Sequence, residues 1–271
     1  MSEWIKVIIL GIVEGITEFL PISSTGHLIV AAAILNFQNS VGGTFEIFIQ
    51  LGAVIAVLVY YRQALIQQAR SLPSSRQTQT FWLAIAIAFV PAAVIGLLLH
   101  DWIKIILFSP AVVAVSLIVG GIIFILIERR PRPAQEPESD EAVMQISLRQ
   151  GLLIGLVQTL ALIPGVSRSG ASIIGGMQVG LSRRAATQFS FYLAIPTLGI
   201  ATLYDLVKSL DQISSSQIAF LLVGMIVSGI VAWLSIGWLL RYISRNSFAA
   251  FGYYRILAGL LILIAVAAQW L

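Results

Sequence analysis

Six predominantly apolar stretches, 45–61, 81–99, 110–127, 186–204, 218–240 and 251–270, come close to the ~20 residues needed to cross a hydrocarbon core. Each reads as a transmembrane helix. Pro91 and Pro196 fall inside two of them and predict kinks, because proline removes a backbone donor from the helix ladder. Two further apolar regions are broken midway: 5–20 resumes at 28–37, and 148–163 resumes at 171–181. Neither half of either region is long enough to cross alone, and both breaks are rich in Pro, Gly and Ser. Non-helical backbone at membrane depth survives only when buried in protein or lining a cavity. The stretches 5–37 and 148–181 are therefore expected to be re-entrant helical hairpins.

Loop charge tests this threading. With re-entrant hairpins, Arg62, Arg70, Arg76, Arg129, Arg130, Arg132, Arg149, Arg183, Arg184, Arg241 and Arg245 all fall on one face. The positive-inside rule makes that face cytoplasmic. Lys6, Lys104 and Lys208 fall on the other face beside Asp101, Asp205 and Asp211, with both termini outside. The same threading makes the chain an inverted repeat. Gly11, Val13, Ser23, Gly26 and Phe45 recur 144 positions later as Gly155, Val157, Ser167, Gly170 and Phe189. The first repeat is 1–128, a polar cytoplasmic linker runs over 129–147, and the second repeat is 148–271. Each repeat is one hairpin plus three spans, and the two hairpins should meet near the midplane, where inverted-repeat proteins place their sites.

Composition agrees with this class. Hydrophobic residues make up 58%, charged residues 10%, and mean hydropathy is +0.95; soluble domains carry about 25% charged residues. The reading is an all-α polytopic membrane protein. Its net charge of +4 lies in loop arginines with a topological explanation, so nucleic acid is excluded as a partner and bilayer lipid is expected. The absence of cysteine excludes disulfides, thiolate metal sites and cysteine nucleophiles. Residues 1–6 lack a basic leader and cleavage site and are read as part of the folded chain. A homodimer is left open.

The two breaks carry the chemistry. The first lies in Glu14-Gly-Ile-Thr-Glu18-Phe-Leu-Pro-Ile-Ser-Ser-Thr-Gly-His27, the second in Pro164-Gly-Val-Ser-Arg-Ser-Gly-Ala-Ser172. Ionisable groups at this depth are costly and mark function by default. Glu14 and Glu18 stand four apart on one helix face and repel unless a cation or proton lies between them. Hard carboxylate oxygens select Mg²⁺ or Ca²⁺, with phosphate oxygens completing the shell; the competing reading is a pair of structural acids. Arg168, the only arginine expected at membrane depth, offers a bidentate fork to phosphate. Ser167, Ser169 and Ser172 add hydroxyls, and Gly170 lets backbone approach an anion closely. A helix restarting near Ala171 would point its N–H groups into the break. The competing role for Arg168 is a salt bridge to Glu14 or Glu18 across the repeat interface. In the first break Ser23, Ser24, Thr25 and Gly26 match this arrangement, and a hydroxyl there is expected to cap the next helix. His27 could take a proton from Ser24 or Thr25, attack phosphorus, or protonate a leaving oxygen. Glu46 and Gln50, one turn apart, are expected to line the outer mouth. Together these groups describe phosphoryl transfer on a lipid with a phosphate headgroup.

On these two motifs the chain resembles, over essentially its whole length, the undecaprenyl-diphosphate phosphatase family, the bacitracin-resistance membrane proteins of bacteria. One departure is Ser172, where the family carries threonine; the hydroxyl is kept. The resemblance implies hydrolysis of undecaprenyl diphosphate to undecaprenyl phosphate, with a divalent cation, in the bacterial cytoplasmic membrane, at a site open to the periplasmic side. It carries functional roles onto Glu14, Glu18, Ser24, Thr25, His27, Ser167 and Arg168. Glu14 and Glu18 are then the metal ligands, Arg168 with the second-break serines the phosphate clamp, and Ser24, His27 or water the nucleophile. The rival reading is a lipid flippase or anion transporter on the same scaffold.

Overall fold

The computed structural model describes residues 1–37, 44–107, 109–129, 142–209 and 215–269. They form α1 (Glu3–Thr17), α2 (Ser24–Ile34), α3 (Thr44–Tyr60), α4 (Arg62–Ser71), α5 (Arg76–Ile106), α6 (Pro110–Glu128), α7 (Leu148–Gln158), α8 (Arg168–Gln178), α9 (Arg183–Ser209), α10 (Ser215–Ile243) and α11 (Ala249–Ala267). Short 3-10 turns cover Ala142–Gln145 and Thr159–Leu162. Among the described residues, α5, α6, α9, α10 and α11 are long and apolar enough to cross a membrane. The chain is a polytopic, all-helical membrane protein.

Several boundaries differ from the sequence reading. The first span does not end at a simple loop: α3 bends by 66° at Tyr61 into α4, whose Arg62, Gln63, Gln67, Gln68 and Arg70 are too polar to continue a crossing. Pro91 and Pro196 lie within α5 and α9, which run helical through both. Helix α5 starts five residues early because Ser75 caps it, its hydroxyl accepting from Thr78 N–H. The linker's last stretch is only partly solvated, since Val143 and Ile146 are buried in the core while Gln145 and Ser147 are exposed; residues 130–141 lie outside the described residues, as do Asp211 and the side chains of Asp101 and Lys104.

Helices α1, α2, α7 and α8 have 15, 11, 11 and 11 residues. At about 1.5 Å per residue none spans a ~30 Å core. Both breaks follow from the same chemistry. Pro21 and Pro164 have no N–H to continue the helix before them, and Ser23 and Ser167, 144 positions apart, enter the next helix at φ 71° and 74°. Gly165 is required twice over: its φ is +93°, and a Cβ there would lie 2.6 Å from Val113 O.

Each broken helix packs on a long helix from the other half, α1 on α10 and α7 on α5. Small residues permit the close approach, as the Gly11/Gly15 and Gly151/Gly155 spacings predict. A Cβ on Gly15 would sit 2.7 Å from Ser228 O, and one on Gly151 2.7 Å from Ala84 O. Helices α6 and α11 pair in the same way. At one end of that pair Glu128, nearly buried, accepts a two-pronged ion pair from Arg183 at the start of α9 and the Phe248 N–H at the start of α11.

Candidate active site

The two breaks meet at Glu18. It follows α1 directly, where the chain turns towards Pro21, and is buried. Its Oε1 lies 3.0 Å from Nη2 of Arg168, the first residue of α8, and its Oε2 accepts the Ser24 hydroxyl at 2.6 Å. Helix α8 thus restarts three residues before the expected Ala171, which puts Arg168 on its first turn. Arg168 also donates through Nη1 to Ser190 O at 2.9 Å, while its Nε, buried, has no partner. The Nε–H and one of the two Nη2 N–H groups are thus left without a protein partner among the described residues.

The serines of the second break are bonded to one another and to the first. Ser167 Oγ caps α8 by accepting from Gly170 N–H at 3.1 Å and lies 3.0 Å from Ser169 Oγ. Ser169 Oγ donates to Leu20 O at 3.1 Å, a direct tie between breaks. Ser172 Oγ, 2.7 Å from Ser190 Oγ, holds α8 against α9. At the first break the expected cap is not made: Ser23 has no side-chain cap bond, and its carbonyl accepts the ring of His27 instead. Ser23 and Gly26 are buried there.

Glu14 is 1% exposed, and its Oε2 has no hydrogen-bond partner. The charges acting on it are Glu18, Glu46 and Arg168, so Glu46 of α3 belongs to the site's surroundings; Gln50 follows one turn later, partly buried. A carboxylate oxygen left bare in a dry interior fits a hard cation. Among the described residues no group of three or more His, Asp or Glu forms a ready-made cage. A cation held here would therefore depend on substrate oxygens for most of its shell.

His27 turns away from this cluster. Its Nδ1 lies 2.7 Å from Ser23 O, which can only accept, so Nδ1 carries the proton. Its Nε2 lies 2.6 Å from Tyr254 Oη on α11, and the two rings stack at 5.6 Å. With Nδ1 protonated in a neutral ring, the tyrosine hydroxyl donates. Neither nitrogen is bonded to Ser24 or Thr25, and among the described residues no hydrogen bond joins Thr25 to the other site groups.

Three residues were not singled out from sequence. Ser190 receives both Arg168 and Ser172; it lies 144 positions after Glu46, a correspondence that could have found it. Tyr254 carried no signal beyond its aromatic type. Arg255 corrects the expectation of a single arginine at depth: it sits within the apolar α11 and is 0% exposed. A charge inside an apolar run was the available signal.

The fold and this geometry define a class: a multi-pass helical membrane protein in which two helix breaks meet at a buried carboxylate–arginine pair ringed by serines. Residues 7–261 match the bacitracin resistance protein BacA family, and the chain belongs to it. It is 51% identical to an undecaprenyl-diphosphatase of Albidiferax ferrireducens over 96% of this chain and 94% of that one. It is 45% identical to undecaprenyl-diphosphatase 1 of Burkholderia cenocepacia over 99% of each, and 49% identical to the undecaprenyl-diphosphatase of a Polaromonas species over 96% and 94%.

Proposed function

We propose that the chain hydrolyses undecaprenyl diphosphate to undecaprenyl phosphate and inorganic phosphate, recycling the carrier lipid for envelope synthesis and so opposing bacitracin. The observation that carries this is the Ser24–Glu18–Arg168 chain, in which one carboxylate orients a hydroxyl and holds a guanidinium at 2.6 and 3.0 Å. In the presence of the diphosphate, Arg168 exchanges Glu18 for phosphoryl oxygens. Ser24 Oγ then attacks the terminal phosphorus, its proton passes to Glu18 Oε2, and the bond to the bridging oxygen breaks as undecaprenyl phosphate leaves. Water attacks the phosphoserine, Glu18 mediates the proton's return, and inorganic phosphate departs. Ser24 is favoured over His27 as nucleophile because both ring nitrogens of His27 are engaged elsewhere.

Glu14, with Glu18, would hold a divalent cation, Mg²⁺ by preference, whose chemistry is to neutralise diphosphate charge; the bare Oε2 of Glu14 supports this. The setting we infer is the bacterial inner membrane, with the site open to the outer side. The gathering of loop arginines on one face in the threading supports that orientation. We also read the halves as an inverted repeat. The paired φ values of Ser23 and Ser167, the crossed packing of α1 on α10 and α7 on α5, and the burial of Gln158 144 positions after Glu14 support it. Such a scaffold also suits transport, but a hydroxyl bonded to a carboxylate beside an arginine is an arrangement for chemistry.

The test is phosphate release from a C55 diphosphate by purified protein in detergent, with and without chelator. Release that stops on chelation and returns with Mg²⁺ is expected. No release under any divalent cation would refute the reading.

A further inference from the structure

Arg255 is a buried cation with no carboxylate within ion-pairing distance among the described residues. Burying a charge is costly unless it is fully hydrogen-bonded, and here backbone carbonyls alone do the bonding. Nη1 donates to Pro21 O at 3.0 Å; Nη2 donates to Gly165 O at 3.1 Å, Val166 O at 3.0 Å and Ser116 O at 3.3 Å; Nε donates to Leu117 O at 3.4 Å. Pro21 lies in the first break and Gly165 and Val166 in the second, where the chain has left the helix and its carbonyls lack helical donors. One side chain from a third element therefore satisfies both breaks at once. Space is reserved for it: a Cβ on Gly120 would overlap the guanidinium, and one on Gly170 would come within 3.3 Å of Nη1.

We propose that Arg255 is a positioning residue, a fork that keeps the two breaks in register so that Glu18 and Arg168 stay opposed when substrate separates them. Pro21 is three residues past Glu18, and Val166 is two before Arg168. In the structure the Glu18–Arg168 pair itself helps hold the breaks together. Once Arg168 grips phosphate, that tie is given up, and the Ser169–Leu20 bond and the Arg255 fork are what keep the half-sites together. The geometry requires a planar, multi-donor group reaching two chains, which arginine provides and lysine does not.

This rests on the phosphatase reading for its activity arm only; the structural arm is independent of substrate. The chain has no cysteine, so spin labels can be placed singly. One pair goes on exposed Ile16 and Leu160, beside the two breaks, and a control pair on Val59 and Leu97, exposed on α3 and α5. Distances are measured in Arg255→Lys and Arg255→Met alongside the parent protein. Both variants should broaden the Ile16–Leu160 distribution and leave Val59–Leu97 unchanged, with kcat falling roughly 100-fold, the cost of about 1 Å of misplacement, and KM rising far less. Lysine restoring both the distances and kcat would mean that charge, not the fork, matters, and overturns the proposal. So would unchanged distances, whatever the activity, or broadening of both pairs, which makes Arg255 a general folding residue. If the parent protein released no phosphate the function would fall, while the distances would still decide the positioning role.

Discussion

Glu18 and Arg168, 150 positions apart in the chain, meet at 3.0 Å inside the protein and join two helices that each stop short of crossing it. The pair is nearly dry, with side-chain exposures of 4% and 13%. Removing one partner of such a pair costs roughly 3–5 kcal/mol, because the other is left charged and unpaired. Arg168→Met should therefore lower the melting temperature in detergent and abolish phosphate release. Adding Glu18→Gln should recover most of the melting temperature and none of the activity. If the double variant is as unstable as the single one, the pair is not what the buried charge depends on.

Ser24 and Thr25 are neighbours with different surroundings, since only Ser24 is bonded to Glu18. Ser24→Ala is expected to reduce phosphate release by about 10³-fold or more, as loss of a nucleophile does. Thr25→Ala should retain most activity. Near-equal losses in the two would argue for a water nucleophile and a general binding role for the hydroxyls.

The bare oxygen of Glu14 makes a second contrast. Glu14→Gln replaces an unsatisfied carboxylate by a neutral amide, so thermal stability should hold or rise. The Mg²⁺ concentration for half-maximal activity should rise by tenfold or more, as expected when one of two carboxylate ligands is lost. An unchanged Mg²⁺ titration would remove Glu14 from the metal site.

Tyr254→Phe keeps the ring stacked on His27 and removes the hydroxyl that faces Nε2. A single such bond is worth about 1 kcal/mol net, so kcat/KM should fall by no more than about tenfold. A loss as deep as that of Ser24→Ala would give the tyrosine–histidine pair a direct part in proton transfer.

At the end of α6, Glu128 links α6, α9 and α11 through Arg183 and the Phe248 amide. Arg183 is about one-third exposed, so solvent screening limits the pair. Glu128→Ala should still cost roughly 2 kcal/mol, mostly from the unmet Phe248 N–H and the lost pairing. A lower melting point with kcat unchanged at low temperature is the expected pattern.

How much of this was legible follows from what kind of contact each residue makes. Five long apolar helices, the two breaks and the residues Glu18, Ser24 and Arg168 that meet between them could be read from the chain. Apolar length, proline and buried charge are local properties of a chain in lipid, and a salt bridge from Arg168 to Glu18 was among the alternatives they allowed. The bend at Tyr61 was less legible, because α4 is polar and helical at once. The linker's buried end at Val143 and Ile146 was hidden by its polar neighbours.

By itself the sequence determined a polytopic helical protein with two interrupted helices that carry acids, hydroxyls and an arginine, since lipid penalises every polar group that has no purpose or partner. Only the tertiary structure decided that Ser190 receives the arginine, that His27 faces Tyr254 and not Ser24, and that Arg255 joins both breaks. Those contacts run to backbone carbonyls or across helices far apart in the chain. A carbonyl is the same on every residue, so which one a guanidinium reaches is settled by packing alone.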